Sequence, residues 1–328
     1  MTYPEMDFTI AAYKTLLNAL KIQGFSLLNI SEFLARTYGK TVILRHDVDR
    51  LPQNSLEFAK IQANLGIRGT YYFRAVPESW DESIVRKIAE MGHEIGYHYE
   101  DMSFAQAKLK VQDSKFKVQG EDFEQKLAGI GIKSFSENLE KLRKIVPVKT
   151  ICMHGSPTSR WDSRLLWKYY NYRDFGIIGE PYFDVDFDEV MYLTDTGRRW
   201  DGDFVSVRDK AQSTELRAQG ENPYKDWKVK PVKYRIETKD PGPRTQVPEP
   251  SLPAKALAKA GTQDPEPLQS FHSTFDIIKA ANEGRLPDKI MMTFHPQRWT
   301  DKPVPWVREL VWQNVKNTGK YLLVSSRK

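Results

Sequence analysis

The sequence predicts an α/β protein built as a (β/α) barrel, and three observations support this fold class. Short apolar runs rich in Val, Ile, Tyr and Phe alternate with segments of helical periodicity, which is typical of βα units and a parallel sheet. The chain has 328 residues, enough for one large barrel. Polar residues suited to metal binding and acid–base chemistry recur where the apolar runs end, as at the C-terminal mouth of a barrel.

The predicted elements follow one another with few interruptions. Apolar residues at helical spacing predict a first helix over 8–22, which Gly24 ends. Further helices are predicted at about 54–65, from 81 onward, near 136–145 and over 304–315. The predicted strands are 41–45, 69–73, 94–97, 148–153, 182–186, 190–193, 289–294 and 321–324.

A proline-rich stretch breaks this alternation. Between about 212 and 268 there is little periodicity, and prolines crowd together from Pro241 to Pro267. We interpret it as a long excursion inserted into a single domain that spans 1–328. A lid over the active site is the weaker alternative.

Composition narrows the class of protein. Hydrophobic residues at 40% and charged residues at 28% fit a globular chain. The net charge of +6 is spread along the chain, which favours a solvated surface over nucleic-acid binding. Cys152 stands alone, so an internal disulfide framework and a Cys-rich zinc site are excluded. No apolar run is long enough to span a membrane and the first residues lack a signal-peptide pattern, so the predicted location is cytoplasmic.

Two aspartates after the second predicted element carry the most specific signal. Side chains at i and i+2 of a strand point to the same side, so Asp47 and Asp49 can face one pocket. Electrostatic repulsion disfavours ionisation of both carboxylates at this distance unless a cation binds beside them. One would then bind a metal while the other acts as a base. The alternative is that the pair caps the next helix.

Three motifs together resemble the polysaccharide deacetylase family, carbohydrate esterase family 4. They are Arg45-His-Asp-Val-Asp49, Gly92-His-Glu-Ile-Gly-Tyr-His98 and Thr293-Phe-His295. The resemblance covers roughly 40–205 and 285–328 and implies a distorted (β/α) barrel. The second motif is the most specific, and the final Phe-His would be weak alone.

The resemblance also implies a role for each matching residue. Asp47 would be the general base, and Asp49 and His98 would bind a divalent metal, with zinc the expected ion. His295 would be the general acid. Asp195 would orient His295, the alternative being an Asp that forms the turn before Gly197.

One position departs from the family pattern. The second metal histidine usually falls four residues after the first, and that position is Met102 here. A thioether is a poor ligand for such a cation. Glu100 and His154 are the candidates to replace it, with His154 slightly favoured.

Other polar and aromatic residues receive weaker predictions. Arg74, Glu100 and Trp200 are candidate substrate-binding residues, although a surface ion pair or core packing would also explain them. Strand parity turns His46 and His93 away from the site, and His93 is expected to be a hydrogen-bonded structural residue.

The function that follows is hydrolysis of an N- or O-linked acetyl group on a carbohydrate or glycoconjugate, without nucleic acid as a partner. Two alternatives remain. Met102 motivates a non-catalytic carbohydrate-binding barrel with a degenerate metal site. A metal hydrolase of another amide bond would use the same chemistry. The sequence contains neither a Gly-x-Ser-x-Gly elbow nor a phosphate-binding Gly-rich loop.

Overall fold

The computed structural model describes residues 6–36, 39–112, 121–155, 161–200, 224–232 and 270–325. Most of the predicted excursion at 212–268 therefore lies outside the described residues. Within the described ranges, no helix combines the length and apolar character that crossing a membrane requires.

The described elements alternate strands and helices. The strands are β1 (Ser26–Leu28), β2 (Thr41–Val48), β3 (Thr70–Phe73), β4 (Glu94–Tyr99), β5 (Ile151–Met153), β6 (Met191–Thr194) and β7 (Lys289–Phe294). The helices are α1 (Ile10–Ile22), α2 (Ile30–Ala35), α3 (Pro52–Asn64), α4 (Glu82–Glu90), α5 (Asp101–Gln112), α6 (Glu121–Arg143), α7 (Leu166–Tyr169), α8 (Pro181–Asp184), α9 (Thr274–Asn282) and α10 (Pro303–Ser325).

The strands form one parallel sheet that curls into a half-barrel. Its continuous order is β5-β4-β3-β2-β7-β6, and β1 pairs with β2 outside this path. The long β2 pairs with β1 along 41–43 and with β3 along 45–48, so two strands share one of its edges. The α/β class is confirmed, and the curled sheet is compatible with a (β/α) barrel. Because all pairs are parallel, the carboxyl ends of the strands lie at one edge of the sheet.

A small apolar cluster covers one face of the sheet. Ile43, Tyr72, Cys152 and Met291 pack there, each from a different strand. Gly96 makes room for the Tyr72 ring, since a Cβ at position 96 would lie 2.3 Å from two of its carbons. The much larger core lies between the other face of the sheet and the helices.

The first predicted helix is confirmed as α1. The side chain of Thr9 accepts a hydrogen bond from the Ala12 backbone N–H and so caps its amino end. Its apolar stripe, including Leu16 and Leu20, is fully buried in the hydrophobic core.

Two predicted strands are wrong. Residues 182–186 overlap the short helix α8, which begins because Pro181 occupies its first turn and the Glu180 side chain accepts from the Tyr182 backbone N–H. Residues 321–324 belong to α10, which continues through Gly319. Short apolar runs do not distinguish a strand from a buried helical turn.

Candidate metal centre

The carboxyl end of β2 places both aspartates at the mouth of the sheet. Asp47 is buried and accepts two hydrogen bonds from Arg45, at 2.8 and 2.7 Å. Asp49 lies just beyond the strand and is partly exposed. The Nε2 atom of His98 is 3.5 Å from Asp47 Oδ2 and 3.6 Å from Asp49 Oδ1, so both carboxylates reach the same imidazole. Strand parity predicted this common orientation.

Three side-chain atoms converge beside this pair. Asp49 Oδ1 lies 3.6 Å from His98 Nε2 and 3.5 Å from His154 Nε2. Ligands about 2.0–2.2 Å from a tetrahedral ion are separated by roughly 3.3–3.6 Å. These two distances therefore fit a shared divalent cation, and the three atoms, all within 4.8 Å of one another, form a possible metal-binding group.

Each of the three groups presents its coordinating atom because its other polar atom is occupied. His98 Nδ1 donates to the carbonyl oxygen of Cys152 at 2.9 Å, and His154 Nδ1 donates to Glu100 at 3.1 Å. The Oδ2 atom of Asp49 accepts from Gln297 Nε2 at 3.1 Å. Both imidazoles thus keep their Nε2 lone pairs for a metal, an arrangement common to protein metal sites.

The Oδ1 atom of Asp49 gives a separate test of whether the site fits a metal ion. Asp49 Oδ1 is buried, and within the described part of the chain it has no hydrogen-bond partner. A buried carboxylate oxygen without a partner is costly. A cation at the centre of the three atoms would satisfy it, so the residues present fit a bound metal.

Electrostatics keeps the group in its ligand form. Burial lowers the pKa of His98 to about 4, so this imidazole is neutral near pH 7. Burial raises the pKa of Asp49, but the imidazoles of His154 and His295 outweigh this effect and hold it below its usual value. Metal binding requires neutral imidazoles and an ionised carboxylate.

A second possible metal group shares His98 but is less suitable. Asp47, His98 and Cys152 also lie close enough to hold an ion. Both oxygens of Asp47 already accept from Arg45, which outweighs the burial effect and holds the pKa of Asp47 well below its usual range. Cys152 is part of the apolar filling of the sheet. The group containing Asp49 and His154 therefore offers the better ligands.

His295 faces this centre from the end of β7. Its Nε2 atom lies 3.9 Å from Asp49 Oδ2, and its Nδ1 donates to Asp195 Oδ1 at 2.6 Å. Asp195 is fully buried and also accepts from the His295 backbone N–H and from Arg298 and Trp299. The structure therefore places the predicted Asp195 beside His295, with the contact that would orient its ring.

The three predicted substrate-binding residues lie in different surroundings. Arg74 and Glu100 form an ion pair at 2.6 Å beside His154. Trp200 is 3% exposed, packs against Phe294 in the hydrophobic core and donates to Thr274. It is not brought together with the cluster.

The two histidines predicted to point away from the site lie on the helix-facing side of the sheet. His93 Nε2 is 2.9 Å from the Ala59 carbonyl oxygen, and its Nδ1 accepts from the Gly69 backbone N–H. His46 stacks between Tyr71 and Phe294. Met102 is also buried away from the centre, in the large core near Gly131.

Arg45 and Gln297 are among the residues of this site to which the sequence analysis assigned no role. Arg45 pairs with Asp47, and Gln297 reaches Asp49 across 248 positions. The parity of β2 was a signal for Arg45, because positions 45 and 47 share a face. No local pattern marks Gln297, which lies in the short turn after His295.

Comparison with protein-family models, with curated proteins and with solved structures found no match for this chain. The assignment of function therefore rests on the motifs and on the geometry of the site.

Proposed function

We propose that this chain is a zinc-dependent hydrolase that removes N- or O-linked acetyl groups from a carbohydrate or glycoconjugate. The observation that carries the proposal is the convergence of Asp49 Oδ1, His98 Nε2 and His154 Nε2 at ligand spacing. Two imidazole nitrogens and one carboxylate oxygen suit zinc, and three protein ligands leave a position open for chemistry. The acetylated carbohydrate as substrate rests on the motif resemblance.

The residues around the centre supply the proton transfers of such a reaction. Zinc bound there would act as a Lewis acid, polarising the acetyl carbonyl and activating water. Asp47, kept ionised by Arg45, is the general base that takes a proton from the attacking water. The same pairing limits its basicity, so activation of the water has to be shared with the cation.

His295, near the Oδ2 atom of Asp49, would supply the second proton transfer. As general acid it donates a proton from Nε2 to the leaving amine or alcohol. Its Nδ1–H bond to Asp195 fixes the orientation of the ring. Asp47 lies near His98, whereas His295 lies near Asp49. This separation suits a base, Asp47, that faces the attacking water and an acid, His295, that faces the leaving group.

The test combines metal analysis with acetate release. Purified protein is incubated with zinc, desalted and analysed for bound metal, beside the variants Asp49→Ala, His98→Ala and Asp47→Asn. We expect near-stoichiometric zinc in the wild type, its loss in the first two variants, and its retention in Asp47→Asn without turnover. The control is His272→Ala, because His272 is exposed and distant in sequence from every ligand.

The outcomes separate the parts of the proposal. Wild-type protein without zinc, or zinc retained in both ligand variants, would refute the metal centre. A folded, active Asp47→Asn enzyme would refute the assignment of the base. Hydrolysis of simple amides without acetate release from acetylated sugars would replace the carbohydrate substrate by another C–N bond.

A further inference from the structure

The ion pair between Arg74 and Glu100 has a position that neither a surface salt bridge nor a substrate contact explains. Glu100 is 5% exposed, and both of its carboxylate oxygens are engaged. Oε1 accepts from Arg74 Nε at 2.7 Å, and Oε2 accepts from His154 Nδ1 at 3.1 Å. A substrate hydroxyl would have to displace one of these partners to bind Glu100.

Arg74 extends the same contacts to a second ligand. Its Nη1 donates to the backbone carbonyl oxygen of Asp49 at 3.2 Å, while its own backbone N–H donates to Ser79 Oγ. The hydroxyl of Ser79 in turn donates to the carbonyl oxygen of Val48, at the end of β2. One guanidinium therefore connects Glu100, behind His154, with the chain segment that carries Asp49.

We propose that Glu100 and Arg74 are positioning residues of the metal centre. Glu100 acts through His154, and Arg74 acts through the chain segment that carries Asp49. This inference rests on the proposed metal centre and deepens it. Such a pair matters because the proposed third ligand follows the end of β5, whereas position 102, in the helix after β4, holds Met102, a poor metal ligand. His154 lies beyond the last residue of β5, and its ring orientation depends on the carboxylate that receives Nδ1–H.

The geometry also excludes Glu100 as a ligand of the same ion. Its Oε2 atom faces Nδ1 of His154, whereas the metal-facing atom of that ring is Nε2. The two nitrogens lie on different sides of an imidazole, so Glu100 stands behind the ligand. This arrangement decides between the two replacements for the missing histidine that the sequence left open.

The experiment measures zinc affinity by competition with a chromophoric chelator, in the full-length protein. Glu100→Gln keeps the shape but offers the His154 ring only a neutral amide, and we expect zinc to bind about 10- to 100-fold more weakly. Arg74→Gln should weaken binding in the same direction, with Arg74→Lys intermediate, because Lys keeps the charge but cannot bridge two acceptors in the same way. Glu90→Gln, an exposed Glu at the end of α4, is the matched control and should bind like the wild type.

A double variant distinguishes positioning from general structural damage. If Glu100 acts through His154, then adding Glu100→Gln to His154→Ala should cause no further loss of zinc affinity. The visible spectrum of the cobalt-substituted protein should also change in Glu100→Gln, since the coordination geometry depends on the orientation of His154.

The measurements distinguish failure of this inference from failure of the proposed function. A Glu100→Gln protein with wild-type affinity, or an equal loss of affinity with and without His154, would overturn this inference while the proposed function stands. A wild-type protein that binds no zinc would overturn the proposed function and this inference together.

Discussion

Replacing Asp195 by asparagine tests how firmly the buried carboxylate holds His295. Oδ1 accepts from His295 Nδ1 and Arg298 Nη1, at 2.6 and 2.9 Å. Oδ2 accepts from the His295 backbone N–H and from Trp299 Nε1, at 2.8 and 2.6 Å. An asparagine side chain has one oxygen and one amide NH₂. Whichever way it is oriented, two of the four donors lose their acceptor and face another donor.

The expected cost follows from these contacts. A hydrogen bond to a charged group contributes about 1.5–3 kcal/mol, and two of them are lost. Removing one partner of a buried ion pair costs about 3–5 kcal/mol, which agrees with that sum. We therefore expect Asp195→Asn to lower the free energy of unfolding by about 3–5 kcal/mol. A typical domain has roughly 5–15 kcal/mol in total, so a folded but weakened variant is expected.

The assay is urea unfolding of wild type and variant, both in excess chelator so that metal binding does not contribute. The midpoint should fall while the slope stays constant. Asp174→Asn is the control, since Asp174 is exposed, and it should change stability by less than about 0.5 kcal/mol. A loss below about 1 kcal/mol in Asp195→Asn would refute the four-donor arrangement and, with it, the orienting role of Asp195.

Two further predictions concern the sheet. Gly96→Ala should cost about 1–3 kcal/mol because its Cβ would lie 2.3 Å from the Tyr72 ring, whereas Gly39→Ala, with nothing within 4 Å, should change little; equal unfolding midpoints would contradict this packing. Burial lowers the pKa of His46 from 6.5 to about 3, so its ring signals in NMR spectra should not titrate between about pH 8 and 5. Below pH 6.5 the unfolded chain binds a proton at His46 that the folded chain does not. As the pH decreases from about 6.5 to about 3, this residue therefore lowers the free energy of unfolding by up to about 1.4 kcal/mol per pH unit. A His46 signal that titrates near pH 6.5 would contradict its burial.

Much of the site could be predicted because strand parity is a local property. The alternation of side chains along β2 separated Asp47 from His46, and the structure places them on opposite faces. The same alternation turned His98 toward the centre and His93 away from it. The predicted strands that failed were short apolar segments, in which a capping carboxylate or a continuing helix decided the conformation.

The sequence by itself determined the α/β class, the faces of the strands and the set of residues from which a metal centre could be built. Tertiary structure decided which members of that set meet. His154 lies close to Asp49, with Glu100 on the other side of its ring, because β5 lies beside β4 and brings the ends of the two strands together. Gln297 reaches Asp49 because β7 pairs with β2. Sequence patterns report what each residue's immediate neighbours favour, whereas these contacts depend on the order of strands in the sheet, which no local pattern contains.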